Sequence, residues 1–210
     1  MRRIRRRAGF AIVTMGILAG LTGCGEPVSD ADLFDQAREV NFTYKAAVAD
    51  VQLQILDGEW EIDQYGDRPQ SCDSDGYRFR MSRATPPEWH LDGTPAEAAE
   101  RIGAWLDENG WTDITARTYT DGITDIVVEA RNPDAHIDRL TVDISPGDNY
   151  DIGTIYADST CQPGDSHTIA SAMLPKDSAQ ATPRALLEHP ADPPSFGYND
   201  DGTPRYWPDN

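Results

Sequence analysis

Between residues 112 and 158 the chain makes four runs of alternating apolar and polar residues, with a turn signal between each run and the next. The runs are 112–120, 123–131, 136–145 and 150–158, separated by Asp121-Gly122, Asn132-Pro133-Asp134 and Pro146-Gly147-Asp148-Asn149. Asp-Gly between alternating runs is a strong hairpin signal, because both residues tolerate the positive φ of a turn that twists with its strands. Strands joined so tightly must be antiparallel neighbours, since a parallel pair needs a crossover of a dozen residues or more. The spacing therefore predicts a meander, with Ile126, Val128, Leu140, Val142, Ile144, Ile152 and Tyr156 on its inner face.

Such a face needs a helical layer. TPAEAAERIGAWLDENG supplies one over 95–109, with Thr94 as N-cap, Pro95 in the first turn, Glu97 closing a capping box and Asn109-Gly110 ending it. Ala98, Ile102, Trp105 and Leu106 form its buried stripe. Upstream, Leu33, Ala37, Val40, Tyr44, Val48, Val51 and Ile55 recur at spacings of three or four, one face of a long amphipathic helix over 31–56 opened by Ser29. Residues 59–65 alternate as a short strand, GDRPQSCDSDG reads as a loop, and YRFRMSR sets Tyr77, Phe79 and Met81 opposite Arg78 and Arg80. The class is α+β: an antiparallel meander covered by one helix and preceded by a long N-terminal amphipathic helix, as one domain over 31–161.

From residue 162 the character changes, with eight of the fifteen prolines in the last 49 residues and no sustained period beyond RALLEH. A segment of that composition does not bury enough apolar surface to offset its ordering entropy, so 162–210 is expected to be a disordered acidic tail. Its Phe196, Tyr198, Tyr206 and Trp207 are candidates either for partner recognition or for folding back on the domain.

The chain opens MRRIRRR, five arginines in seven residues, and continues with a mainly apolar run that ends at Leu21-Thr22-Gly23-Cys24. A basic segment followed by about 16 apolar residues, too few to cross a bilayer comfortably, is the pattern of a signal peptide over 1–23. Its end resembles the lipobox of bacterial lipoproteins. That resemblance implies a diacylglyceryl group on the Cys24 sulfur, cleavage just before it, frequent acylation of the new amino terminus, and a tether over 24–30. One acyl chain anchors only marginally and two hold firmly, so the implied location is the extracytoplasmic face of the bacterial cell membrane. The paired arginines leave both the general and the twin-arginine export routes open. In architecture the chain also resembles the small cell-envelope lipoproteins of actinobacteria, many of which have no assigned activity.

Of 18 basic residues five lie in the leader, so the remainder carries 13 against 36 acidic, a net charge of −23. That excludes nucleic acid, whose phosphates need a cationic footprint, and adsorption of the body on anionic lipid. Two cysteines remain, Cys72 and Cys161, and in an oxidising compartment they read as a disulfide. A loop of about 90 residues closed this way is stabilised by roughly 4–5 kcal/mol in the chain-entropy model.

Catalytic signatures are sparse. Gly164-Asp165-Ser166-His167 resembles the GDS block of GDSL-type lipases, but no Asp-x-x-His follows it, so the match is read as coincidence. There is no G-x-S-x-G, H-E-x-x-H, P-loop or G-x-G-x-x-G. His90, His136, His167 and His189 are scattered, and Asp73–Gly76 and Asn199–Gly202 imitate calcium loops without the end ligands, so no metal or cofactor is expected. Arg78, Arg80, Arg117, Arg131 and Arg139 fall at outward positions of strands, with Arg83 ending the first, and Asp125, Glu129 and Asp143 are the expected cross-strand partners. They form either a solvated salt-bridged face or a basic platform for an anionic ligand or acidic partner segment.

The expected function is a membrane-anchored interaction module that binds an envelope protein or ligand. The alternatives are an envelope hydrolase using Asp or Glu with His90 or His136, and a small-molecule carrier with a cavity between helix and sheet lined by Trp60, Trp89 or Trp105. Cys24→Ala is expected to move the protein from the detergent phase to the aqueous phase in detergent-partitioning of native-host cells. Intact-mass analysis of the wild type should show cleavage before Cys24 and an added lipid mass; an unmodified Cys24 thiol would refute the anchor.

Overall fold

The computed structural model describes residues 29–118, 124–173, 187–199 and 203–208. The expected leader over 1–23, Cys24 and the expected Asp121-Gly122 turn lie outside the described residues.

Helix α1 (Asp30–Gln52) begins where Ser29 leaves extended backbone, its hydroxyl accepting from the Asp32 amide at 3.2 Å. The helix stops at Gln52, short of the expected residue 56, and continues as a turn. Helix α2 (Pro95–Glu108) carries the full capping box: Thr94 Oγ1 accepts from the Glu97 amide at 3.3 Å, and Glu97 Oε2 accepts from the Thr94 amide at 2.8 Å.

The strands are β1 (Trp60–Tyr65), β2 (Gln70–Cys72), β3 (Gly76–Arg78), β4 (Arg80–Ala84), β5 (Thr112–Thr118), β6 (Ile126–Asn132), β7 (Ile137–Ser145), β8 (Ile152–Ser159), β9 (Gln162–Pro163), β10 (Leu187–Glu188), β11 (Phe196–Tyr198) and β12 (Pro204–Tyr206). A short helix, α3 (Ser166–Met173), follows β9. The main sheet is antiparallel in the order β10-β1-β4-β8-β7-β6-β5, so the meander β5 to β8 is extended by β4, β1 and β10.

Register decides which residues face inward. Leu140, Val142 and Ile144 of β7 stand opposite Ala157, Ile155 and Gly153 of β8, and these make the buried face. Ile152 and Tyr156, expected inside, are turned outward and are 44% and 49% exposed. Residues 152–157 offer apolar side chains at both parities, so alternation alone leaves the strand two ways to lie; pairing with β7 selects one.

The run 77–83 is not one strand. It breaks at Phe79, with β3 joining β2 and β9 in a small three-stranded sheet while β4 enters the main one. Ser159 holds the break from both sides: Phe79 N–H donates to Ser159 Oγ at 2.8 Å and Ser159 N–H donates to the Phe79 carbonyl at 2.9 Å. The Cys72–Cys161 disulfide, with Cα atoms 5.9 Å apart, ties β2 to the residue before β9. Because β4 and β8 are neighbours, the bridge fastens the small sheet beside the centre of the large one. Gly76 packs so closely here that a Cβ would lie 2.5 Å from Cys161 Sγ, which only glycine avoids.

Two helices, not one, cover the inner face. Seven strands about 4.8 Å apart span roughly 29 Å, more than one helix about 10 Å across can shield. Ala98, Ile102 and Leu106 of α2 lie over β5 and β6, while Tyr44, Val48 and Val51 of α1 serve the other half, Tyr44 donating to the Ala157 carbonyl at 2.5 Å.

The expected disordered tail is corrected in every part that is described. Strand β10 pairs with β1 in the main sheet. Phe196 is fully buried, its ring 5.6 Å from Phe34, 5.9 Å from Phe79 and 6.4 Å from Phe42. Tyr206 lies 5.2 Å from Phe34, and Tyr198 meets Tyr65 edge-on at 5.1 Å. Composition and period failed here because the segment builds no face of its own; isolated aromatic anchors fill notches in a surface that already exists. The folded body therefore does not stop at residue 161.

Removing one such anchor tests the arrangement. Phe196→Ala is expected to cost about 3–5 kcal/mol of unfolding free energy, measured from urea denaturation, where a freely moving C-terminal segment would give no change.

Candidate functional site

The side of the sheet away from the helices is set by the same register. On it Arg80 of β4 and Arg139 of β7 stand directly opposite Asp158 of β8, one on each side. Arg80 Nε donates to Asp158 Oδ1 at 2.6 Å and Arg139 donates to Oδ2 at 2.5 Å, so one carboxylate bridges two guanidinium groups. Tyr156, two residues along β8, is diagonal to both arginines and flanked by Ser82 and Thr141. Arg78 of β3 lines the same groove, and its Nε is buried without a hydrogen-bond partner.

The groove has a volume of about 490 Å³ and takes in Arg131 as well. Arg131 is already matched, donating to the Asp138 carboxylate and carbonyl and lying 3.8 Å from Asp113. Arg117 sits farther along the sheet, 3.4 Å from Glu129. The five arginines proposed from sequence thus divide: Arg117 and Arg131 have carboxylates of their own, whereas Arg80 and Arg139 share Asp158 and Arg78 lines the groove beside them, among the carboxylates of Asp113, Glu129, Asp138 and Asp158.

Asp158 is the residue that sequence reasoning missed. Neither Asp125 nor Asp143 lines the groove; Asp143 is raised above the ordinary carboxylate value by burial and by nearby Asp125, against the pull of Arg117. Burial alone would raise Asp158 too, but the hydrogen bonds and charges of Arg80 and Arg139 outweigh it and hold the group below its ordinary value. The available signal was its position at the end of the last alternating run, where antiparallel pairing brings it level with arginines of two other strands.

Arg83 is placed differently from its expected role as a strand end. It shares the inward parity of Met81 and is buried, 1% exposed, with its guanidinium forked onto the Glu188 carboxylate (Nη2 to Oε2, 2.8 Å) and onto the carbonyls of Gln64, Ser82 and Tyr65. Asn41, Lys45 and Gln52 are likewise buried polar residues on α1. Asn41 donates to the Gly66 carbonyl at 2.7 Å, and Lys45 binds Asp67 and the Ser195 carbonyl. Burial pulls the Lys45 ammonium below its ordinary value against the pull of Asp67. A second cavity, about 280 Å³, opens between α1, β1, β4 and the C-terminal segment.

The other sequence candidates disperse. Phe196 is core, Tyr198 and Tyr206 pack on Tyr65 and Phe34, and Trp207 remains 49% exposed at the mouth of the second cavity. Trp60 is in the core with its indole N–H on the Leu56 carbonyl, and neither it, Trp89 nor Trp105 lines that cavity. His90 and His189 lie at the surface, 3.9 Å from Asp151 and 3.7 Å from Asp57. His136 borders a depression beside Glu39 and Thr43 of α1 and takes left-handed backbone after the 3₁₀ turn Pro133–Ala135. The GDS stretch is a helix start, Asp165 accepting from the Thr168 amide and hydroxyl at 2.9 and 2.8 Å. Asp73–Gly76 is the turn between β2 and β3; Asp200–Gly202 lies outside the described residues. Among the described residues there is no cluster of three or more His, Cys, Asp or Glu suited to a metal and no helix long and apolar enough to cross a membrane.

No protein-family model, curated protein or solved structure matches this chain. Its chemistry has to be read from its own geometry.

Asp158 has a pH signature. A carboxylate held below its unfolded value stabilises the fold above that value, about 3.9, and loses the contribution as pH falls through the folded one. Asp158→Asn is therefore expected to be less stable than wild type at neutral pH, with the difference between urea midpoints closing below about pH 4.

Proposed function

We propose that the protein is a membrane-anchored extracytoplasmic lipoprotein whose folded body binds an anionic envelope glycan in the groove of Arg78, Arg80 and Arg139. The observation that carries this reading is an open groove in which Arg80 and Arg139 share the carboxylate of Asp158 while Arg78 beside them keeps an Nε without a partner. Planar guanidinium groups suit carboxylate and phosphate oxygens. Tyr156, turned outward two residues along β8 from Asp158, offers an aromatic ring for the uncharged face of a sugar ring.

The other two surfaces considered from sequence are largely engaged within the molecule. The buried stripe of α1 lies on the sheet, and three of the four C-terminal aromatics pack against the domain. A binding role for the outer face leaves that packing untouched. Lipid attachment at Cys24 would keep the groove close to the envelope polymers it recognises, which makes even a weak single-site affinity effective through local concentration.

Titration calorimetry with a trigalacturonate oligomer tests the reading, beside a neutral trisaccharide and an oligoglutamate peptide. The acidic sugar is expected to bind and to weaken with added salt. Arg78→Ala and Arg139→Ala should each cost about tenfold, the worth of one charge-assisted hydrogen bond of about 1.5 kcal/mol, while Arg117→Ala changes nothing. Preferential binding of the peptide would replace the glycan with a protein partner, and binding of neither anion would refute the site.

A further inference from the structure

The second cavity lies in the helical layer, on the opposite side of the sheet from the arginine groove, and poses a separate question. Its walls are α1, β1 and β4, and its outer wall is the C-terminal segment, which reaches it from residues 187–195, Tyr198, Pro204 and Trp207. At about 280 Å³ it is near the lower end of the range for small-molecule sites.

Its polar groups are mostly engaged. Arg83 is matched by Glu188, and Lys45 by Asp67 and the Ser195 carbonyl. Gln52 is the exception. The residue is fully buried, it lines the cavity, and its Oε1 has no hydrogen-bond partner. The amide orientation is dictated by its surroundings, since Nε2 faces Glu188 Oε1 at 3.4 Å and the reverse placement would set an oxygen against a carboxylate. What remains is a buried acceptor, costly to leave empty, that asks its occupant for an N–H or O–H.

The charge around it chooses between those donors. With the Arg83–Glu188 and Lys45–Asp67 pairs cancelling, Asp50 and Asp192 remain on the lining as exposed carboxylates that form no ion pair among the described residues. Tyr65, Tyr198 and Trp207 add aromatic surface, and Ile62 and Met81 add apolar wall. Negative potential at the mouth with aromatic rings on the walls favours a cation that carries an apolar body.

We propose that this cavity is a binding site for a small organic amine, whose ammonium group donates to Gln52 Oε1 while its apolar part lies between α1 and the C-terminal segment. The site is independent of the glycan groove, so either can fail without the other.

The test uses the full mature chain and three probes of one shape: 2-phenylethylamine, 2-phenylethanol and 3-phenylpropionate. Calorimetry is expected to show the amine binding, the alcohol at least about tenfold weaker and the acid not at all, with the amine also raising Tm. Gln52→Met, which keeps side-chain length and removes the acceptor, should weaken the amine by about tenfold or more. The exposed double change Asp50→Asn with Asp192→Asn should weaken it about threefold and flatten its salt dependence, and Arg139→Ala should leave it unchanged. Equal binding of amine and alcohol, no binding of any probe, or unchanged amine affinity in Gln52→Met would overturn the proposal. Should Gln52→Met fail to fold, unchanged amine affinity and salt dependence in the aspartate double variant would overturn it on their own.

Discussion

An arginine on the inward parity of a central strand does not stay buried alone. Arg83 stands in the row that includes Met81, under α1, and its charge has to be met inside the protein. Glu188 meets it from 105 residues away. Leaving such a charge unpaired costs on the order of 3–5 kcal/mol, so the C-terminal segment is drawn back over the sheet by electrostatics as well as by apolar burial. Strand β10, the seat of Phe196 and the cavity beneath the segment all follow from that return. Lys45 repeats the logic on α1, tying Asp67 and the Ser195 carbonyl to one ammonium group.

The two faces of the sheet use charge in opposite ways. Inside, each cation is matched by a carboxylate and the remaining donors reach backbone carbonyls, which makes the pairs fixtures of the fold. Outside, Asp158 divides itself between Arg80 and Arg139 while Arg78 keeps an unmatched Nε. The shared pairs of Asp158 lie at an exposed groove, where water and salt screen them. The same arrangement in the core would be intolerable.

Much of the architecture was legible because it rests on local rules. Thr94, Pro95 and Glu97 start α2 whatever lies above it, and the turn signals between 112 and 158 make antiparallel neighbours of the strands they join. Ile152 and Tyr156 were misassigned to the core because β8 carries apolar residues at both parities, and only Leu140, Val142 and Ile144 across the ladder choose between them. For Phe196, Tyr198 and Tyr206 the sequence leaves recognition and folding back equally open, and the structure selects folding back; an anchor without a period has no signature until its notch is known.

What the sequence alone determined are features written within a few residues: the helix starts, the meander, the excess of acid and the parity that sets Arg80 and Arg139 on one side of their strands. The tertiary structure alone decided which strand neighbours which and where the C-terminal segment returns, and therefore that Asp158 falls between two arginines and that Gln52 faces a cavity. These are contacts between residues far apart in the chain. They depend on register and on the shape of a surface that exists only once the sheet and its helices have packed, and no stretch of local sequence carries that information.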